Sequence, residues 1–196
     1  QNLNQKTRRK DYLRGFVLYG HGSRGRRNGD PQAFGGAYKD SLTTPGAWTF
    51  GFTAFGETLP NYENRVTLDY ERLDPFGLPQ LVLDVQFGEN EHNMRKEMSC
   101  ASAEILETAG FRNVETYNRH SEPGLSIHEM GAARMGNNPK TSVLDRWSRM
   151  HEIPNVFATD GSGMCSNGWG NPSLTYMALT ARACDFAVGE MKKRNL

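Results

Sequence analysis

The 196-residue sequence has no apolar run that approaches the roughly 20 residues of a membrane-spanning helix. Cysteine is scarce, and Cys100, Cys165 and Cys184 are too few and too widely spaced for a disulfide framework or a zinc-binding pattern. An excess of one charge is also absent, because 23 basic and 22 acidic residues balance to +1. That balance gives no reason to expect nucleic acid or an anionic membrane as a partner. No pair of histidines has metal-ligand spacing, so no metal site is predicted.

The first 15 residues lack the features that open an independent protein. They contain no initiator methionine, no signal-peptide core and no obvious opening strand. We therefore expect the chain to be a piece of a longer protein. Its 21 glycines and 9 prolines indicate a globular chain rich in loops, which favours an α+β or α/β enzyme over a helix bundle.

Residues 20–25 read Gly-His-Gly-Ser-Arg-Gly, a literal match to the G-x-G-x-x-G dinucleotide pattern, and follow a predicted strand at 14–19. Such a motif must also open a helix, because N–H groups at the helix N-terminus bind the pyrophosphate. Gly29, Pro31 and Gly35 disfavour a helix at the required place. We predict an ordinary glycine-rich loop here and not a Rossmann nucleotide site.

Alternating apolar residues predict strands at 48–57, 66–71 and 79–87. Short polar turns between them predict an antiparallel meander with one face on a core. Two further short strands are predicted at 114–118 and 155–160.

Two long helices are predicted. The first covers residues 88–110 and ends at Gly110. The second begins with Asn171 as N-cap and Pro172 as first helical residue. One side of the first helix is apolar at helical spacing, which indicates core packing. Its members are Met94, Met98, Ala101, Ile105 and Ala109.

Two features of the last third could carry chemistry. His128 lies in a loop between Gly124 and Gly131, and an imidazole there could act as a general base or as a hydrogen-bonded structural group. Asp160-Gly161 follows a predicted strand, where ligand loops are common, although a simple Asp-Gly turn explains it equally well.

Asn171-Pro172 can be explained as a helix cap, or as a helix N-terminus that supplies partial positive charge to an anionic ligand. The order of the three features is more informative than any one of them. SIHEMGAARMG, then Asp160-Gly161-Ser162, then Gly-Asn-Pro-Ser-Leu-Thr before an Ala-rich helix resembles the C-terminal signature of the glucose–methanol–choline (GMC) oxidoreductases. The resemblance covers residues 124–186, in particular to the branch with pyranose oxidase, gluconate and fructose dehydrogenases and glucoside 3-dehydrogenases.

This resemblance implies a flavin-dependent oxidation of a sugar or polyol hydroxyl, with FAD as cofactor. His128 would accept the hydroxyl proton while hydride passes to flavin N5, and Asn171 would hydrogen-bond the same oxygen. Arg134 and Met135 would hold the loop, while Trp169 borders the site or packs beside it. The resemblance assigns contacts with FAD to Asp160, Gly161, Asn171, Pro172 and Ser173.

The implied fold is α+β: an antiparallel substrate domain backed by helices at residues 1–120, then the closing segment of an FAD-binding domain at 121–196. The family's N-terminal Rossmann βαβ unit has no counterpart in this sequence. We therefore expect an N-terminal FAD-binding half as partner, with an electron-acceptor subunit as a further candidate. The chain by itself should not retain FAD. Two alternatives stay open: a non-catalytic ligand-binding domain, and a structural fragment that needs its N-terminal half.

Overall fold

The computed structural model describes residues 5–6, 8–26, 29–43, 45–118 and 122–196. Its strands form two antiparallel sheets with helices beside them, so the predicted α+β class is confirmed. The predicted domain boundary at residues 120 and 121 lies outside the described residues. In chain order the elements are β1 (Phe16–Arg26), α1 (Gly36–Thr43), β2 (Pro45–Gly56), β3 (Arg65–Leu73), β4 (Pro79–Asp84), α2 (Glu89–Thr108) and α3 (Ser173–Lys192).

Strand β1 runs through the whole G-x-G-x-x-G sequence, so the predicted glycine-rich loop is wrong, and the motif opens no helix. In the β1–β2 register, Gly20 lies opposite Phe52 and Gly22 lies opposite Phe50. A Cβ on Gly20 would come within 2.7 Å of Phe50 Cζ. Gly20 lets aromatic rings of β2 lie across β1, which is a packing role and not nucleotide binding.

The predicted meander is correct for its second hairpin and wrong for its first. Strand β3 pairs with β4, but β2 pairs with β1 and not with β3. The connection between β2 and β3 forms no tight turn. It is hydrogen-bonded to α2, since Leu59 N donates to Glu91 Oε1 at 2.9 Å. Strand pairing was therefore decided by contacts with residues remote in the sequence.

The core lies between α2 and the β1–β2 sheet. Tyr12, Met94 and Met98 are buried there, and the backbone of β2 approaches the two methionines so closely that a Cβ on Gly56 would collide with both. The predicted apolar stripe is thus confirmed as core at these two methionines. Gly110 follows the helix with a positive φ of 86°, as expected of a helix stop.

The two short strands predicted at 114–118 and 155–160 are wrong. Residues 114–118 pair with no strand of the described chain, and residues 155–160 contribute a single bridge, between Phe157 and Arg149. Strand-forming residue types do not make a strand unless a neighbouring backbone supplies the ladder of hydrogen bonds.

Much apolar surface remains exposed to solvent. The accessible surface is 15085 Å², whereas a compact protein of 22.0 kDa would expose about 9,300 Å². On one face of the β3–β4 hairpin, Val66 lies opposite Leu83 and Leu68 opposite Leu81, and all four are exposed. Contiguous apolar surface of this kind usually contacts another protein surface. In the part of the chain that is described, no helix combines the length and apolarity needed to cross a membrane.

Candidate active site

His128 lies in a loop in which the side chain of Glu129 bonds back to Ser126. Glu129 Oε1 accepts the N–H of Ser126 at 2.7 Å and its hydroxyl at 3.0 Å. Ser126 Oγ also accepts the N–H of His128, at 3.3 Å. The flanking glycines have positive φ values, 88° at Gly124 and 96° at Gly131. The imidazole of His128 forms no hydrogen bond or ion pair with the described residues, so it is available to a ligand.

Ile127 holds an unfavourable backbone conformation beside His128. Its φ is 61°, and its side chain is 87% exposed. A β-branched residue in this left-handed region costs about 1–2 kcal/mol, and an exposed side chain offers no packing in return. The surrounding hydrogen bonds must therefore maintain the loop, a situation found often at functional sites.

Backbone hydrogen bonds join the His128 loop to the Asp160 turn. Gly131 N donates to Gly161 O at 3.1 Å, and Ala133 N donates to Ser162 O at the same distance. A third bond runs from Met135 N to the carbonyl of Gly163 at 2.9 Å. Two of the three segments singled out in the sequence therefore lie side by side.

Asp160 begins a single 3₁₀ turn, Gly161–Gly163, and its carboxylate faces back onto that turn. Oδ1 accepts the hydroxyl of Ser162 at 2.5 Å and its N–H at 2.9 Å. The Ser162 hydroxyl is the main reason why the pKa of Asp160 lies below its ordinary value, followed by the Ser162 N–H. Oδ2 makes no hydrogen bond to another described residue, so one oxygen remains open to a ligand.

Gly161 is the point where all three segments meet. A Cβ at this buried glycine would lie 2.6 Å from Glu129 O and 2.8 Å from the hydroxyl of Tyr176, in the first turn of α3. That hydroxyl donates to Met130 Sδ at 3.6 Å. Burial raises the pKa of Tyr176, and the charges of Asp160 and Glu129 raise it further. Only glycine permits this close approach.

The start of α3 differs from the prediction by one residue. Pro172 is the N-cap, its carbonyl accepts the N–H of Tyr176 at 3.0 Å, and the first helical residue is Ser173. The proline conformation closes the first turn, so the predicted cap at Asn171 is wrong. Asn171 is exposed and makes no hydrogen bond with the described residues. Its amide is consequently free for another use.

The remaining residues of the region have structural contacts. The carbonyl of Arg134 accepts the N–H groups of Val143 and Leu144, and Met135 Sδ lies 3.7 Å from Ser148 Oγ, which agrees with the predicted loop-holding role. Trp169 is 44% exposed in the loop before α3, and no aromatic contact to it is found among the described residues.

Ser142 and His151 form a serine–histidine pair that the sequence did not indicate, with Oγ and Nε2 3.2 Å apart. Nε2 also lies 3.0 Å from Gly136 O, which can only accept, so Nε2 carries the proton. The serine hydroxyl donates to Asn138 O at 2.7 Å. This histidine cannot deprotonate the serine, and the pair is structural. Within the described ranges, no three His, Cys, Asp or Glu residues are grouped to hold a metal ion.

Two residues of the site were missed from the sequence, Glu129 and Tyr176. Ser126 and Glu129 have the S-x-x-E spacing of a capping box, which was a usable signal although it occurs here in a loop and not at a helix start. No local signal marks Tyr176, because its role depends on a glycine 15 positions earlier.

Comparison with known proteins gives a family match. A family model described as GMC oxidoreductase matches residues 60–180, which is more than half of the chain. The 2-methyl-1,2-propanediol dehydrogenase of Mycolicibacterium austroafricanum is 36% identical over 67% of this chain and 24% of its own length. Paromamine 6′-oxidase of Streptomyces fradiae is 33% identical over 69% of this chain and 25% of its own.

The fructose dehydrogenase large subunit of Gluconobacter japonicus is 29% identical over 70% of this chain and 25% of its own length. This chain thus spans about a quarter of the length of the curated relatives it matches.

Proposed function

Because this chain belongs to the GMC oxidoreductase family, we propose that it forms one side of an FAD site in an enzyme that oxidises a hydroxyl group of a sugar or polyol. The observation that carries the proposal is the meeting of the His128 loop, the Asp160 turn and the first turn of α3 at Gly161. The names of the relatives, which specify a propanediol, paromamine and fructose, support this substrate class.

The beginning of α3 fits a flavin by its chemistry. No side chain caps this 20-residue helix, and the first N–H groups of an α-helix have no intrahelical acceptor. The helix dipole adds partial positive charge at the same end. A reduced flavin carries negative charge near N1 and C2=O, so Asn171, Pro172 and Ser173 would hold that edge. Asp160 and Gly161 would contact the ribityl and pyrophosphate region, where Asp160 Oδ2 is open to accept a hydroxyl.

When bound, FAD supplies the acceptor for the hydride that leaves the carbinol carbon. The task of His128 is to accept the proton of the substrate hydroxyl on a ring nitrogen, because a deprotonated oxygen makes hydride departure easier. Its imidazole suits this role since no described residue occupies either nitrogen.

Asn171 would donate from its side-chain amide to the same substrate oxygen. A base and an orienting donor on one oxygen fix both the proton path and the direction of the C–H bond. The exposed and unbonded amide of Asn171 supports this assignment. A helix cap at position 171 would have directed the side-chain oxygen at the first turn of α3 and so fixed the direction of the amide.

A partner that supplies the dinucleotide-binding fold is part of the proposal. Both described sheets are antiparallel, and the only G-x-G-x-x-G sequence is inside β1. The large exposed apolar surface supports an N-terminal FAD-binding half that covers it. The two-domain division at residue 120 stays a prediction. An electron-acceptor subunit is a further proposed partner, since one relative is named as a large subunit.

The exposed surface equally favours the structural alternative, in which the chain only completes another domain and carries no chemistry. Gel filtration tests the uncovered surface that both readings share, because such a surface should produce dimers or aggregates, and only bleaching of a bound flavin by substrate separates the two readings. A non-catalytic ligand-binding domain has no observation in its favour, since both His128 and Asn171 are present and unbonded.

The first test is a visible absorption spectrum of the purified chain after incubation with excess FAD and desalting. We expect no retained flavin band from the chain alone, and a band that an anaerobic sugar or polyol bleaches once an N-terminal FAD-binding half is supplied. If the chain alone retains FAD and is bleached, the need for a partner is wrong. A flavin that binds in the presence of the partner but is never bleached contradicts the catalytic proposal.

A further inference from the structure

Glu129 fixes the backbone on both sides of His128. On one side, its Oε1 accepts two hydrogen bonds from Ser126, and the same hydroxyl accepts the N–H of His128. On the other side, the carbonyl of Glu129 lies against Gly161, and Gly131 N donates to Gly161 O. The imidazole therefore projects from a short segment that is anchored at its two ends.

The loop depends on this anchoring because its backbone is unfavourable without it. Ile127 has a φ of 61° and an exposed side chain, so neither intrinsic preference nor packing holds the left-handed conformation. Loss of the Ser126–Glu129 bonds would allow residues 126–128 to relax, and the direction of the imidazole would change with them.

The carboxylate is ionised when it performs this role. Burial works against its charged form, but the hydrogen bonds from Ser126 and the nearby His128 hold the pKa of Glu129 below its ordinary value. An ionised carboxylate only accepts hydrogen bonds, which suits the two donors of Ser126.

We propose that Glu129 is a positioning residue that directs the His128 imidazole at the substrate hydroxyl, a role that rests on the proposed function of His128. Glu129 acts through the loop and does not contact the substrate. A glutamine at this position keeps an acceptor oxygen in the same place, whereas an alanine removes it. The two substitutions therefore separate geometry from charge.

The test uses the protein loaded with FAD together with its proposed N-terminal half, and compares Glu129→Ala and Glu129→Gln with a matched control. The control is Glu152→Ala, at an exposed glutamate with no hydrogen bond to a described residue. Rapid anaerobic mixing with 2-methyl-1,2-propanediol, paromamine or D-fructose measures the limiting rate of flavin bleaching and the half-saturating concentration. We expect Glu129→Ala to lower the limiting rate about 100-fold, as for a misplaced catalytic group, with unchanged half-saturation. Glu129→Gln should stay within about tenfold of the parent rate, since a neutral acceptor is weaker.

Hydrogen exchange at the Ser126 and His128 amides gives a second readout that needs no turnover. Protection at both should be lost in Glu129→Ala and largely kept in Glu129→Gln, while Gly131, Ala133 and Met135 stay protected in all variants. A normal rate in Glu129→Ala overturns the proposal, and so does a Glu129→Gln protein as slow as the alanine variant. Loss of protection across the whole region would assign Glu129 to folding instead. If none of the three substrates bleaches the flavin of the parent protein, the proposed function fails. The hydrogen-exchange pattern still decides whether Glu129 holds the loop.

Discussion

In both the β1–β2 sheet and the loop junction at Gly161, other atoms lie very close to a glycine Cα. The two places differ in which atoms these are. Gly20 lies under the ring of Phe50, which is 39% exposed and has room to move. Gly161 is buried against the carbonyl of Glu129 and the hydroxyl of Tyr176. The sheet is also held by a long ladder, whereas three backbone bonds join the loops. The sheet should therefore tolerate a local change that the site does not.

The largest expected effect is on chemistry, and two histidines allow the comparison. In the protein loaded with FAD together with its proposed N-terminal half, His128→Ala should slow flavin bleaching about 10²–10⁴-fold, because it would remove the proposed general base. Flavin content should be unchanged, since the base acts on the substrate. His21→Ala, on the exposed face of β1, is the matched control and should leave the rate as it was. Equal rates in parent and His128→Ala would remove His128 from the mechanism.

Two methionines test how much each region contributes to stability. Met94 is 2% exposed in the α2 core, and Met94→Ala should cost about 3 kcal/mol because it leaves a cavity. Met177 on α3 is 67% exposed, and Met177→Ala should change the free energy of unfolding of the chain alone by under about 0.5 kcal/mol. Urea unfolding of the isolated chain measures both. A large loss with Met177→Ala would mean that α3 is already covered, for example in a dimer.

Alanine substitutions at Gly161 and Gly20 compare the two close contacts through the free energy of unfolding. Gly161→Ala should destabilise by about 2 kcal/mol, because the new methyl group meets a backbone carbonyl that cannot move independently. Gly20→Ala should cost less than about 1 kcal/mol, since the Phe50 ring can rotate away. Urea midpoints give the order, and a greater loss at Gly20 would contradict the distinction between the two regions.

A smaller effect of opposite sign is expected at Ile127. Asparagine tolerates left-handed φ values, so Ile127→Asn should raise the free energy of unfolding by under about 1 kcal/mol. Ile153→Asn, at another exposed isoleucine without a positive φ, controls for the loss of apolar surface. Destabilisation by Ile127→Asn would show that the isoleucine side chain itself is needed.

The smallest effect is the acid dependence of the Asp160 turn. A carboxylate whose folded-state pKa is depressed stabilises the fold above its unfolded-state pKa, and this contribution is lost as pH falls through the folded-state pKa. Stability should therefore decline below about pH 4. Ser162→Ala removes the main cause of the depressed pKa, so its decline should be shallower in unfolding experiments at several pH values. Identical slopes would exclude the Ser162 hydroxyl as the cause.

Local patterns predicted the two long helices and the β3–β4 hairpin well. The helix at 88–110 is observed at Glu89–Thr108, and the strand predicted at 66–71 lies within Arg65–Leu73. Each depends on a periodicity that neighbouring residues express together. Several errors concern strand partners: β2 pairs with β1, which includes the residues predicted as a loop, and residues 155–160 lack a ladder of hydrogen bonds. A strand pattern cannot specify which distant backbone will bond to it.

For the candidate site, the sequence by itself determined the proposed site residues and their order, because a loop imidazole, an Asp-Gly turn and an Asn-Pro helix start are recognisable within a few positions of each. Only the tertiary structure decided that these segments meet at Gly161, that Glu129 and Tyr176 belong with them, and that Asn171 is free of the helix cap. The meeting at Gly161 depends on contacts between residues 15 or more positions apart, those of Gly161 with Tyr176 and with Glu129. Contacts of that range arise from packing, which no local pattern contains.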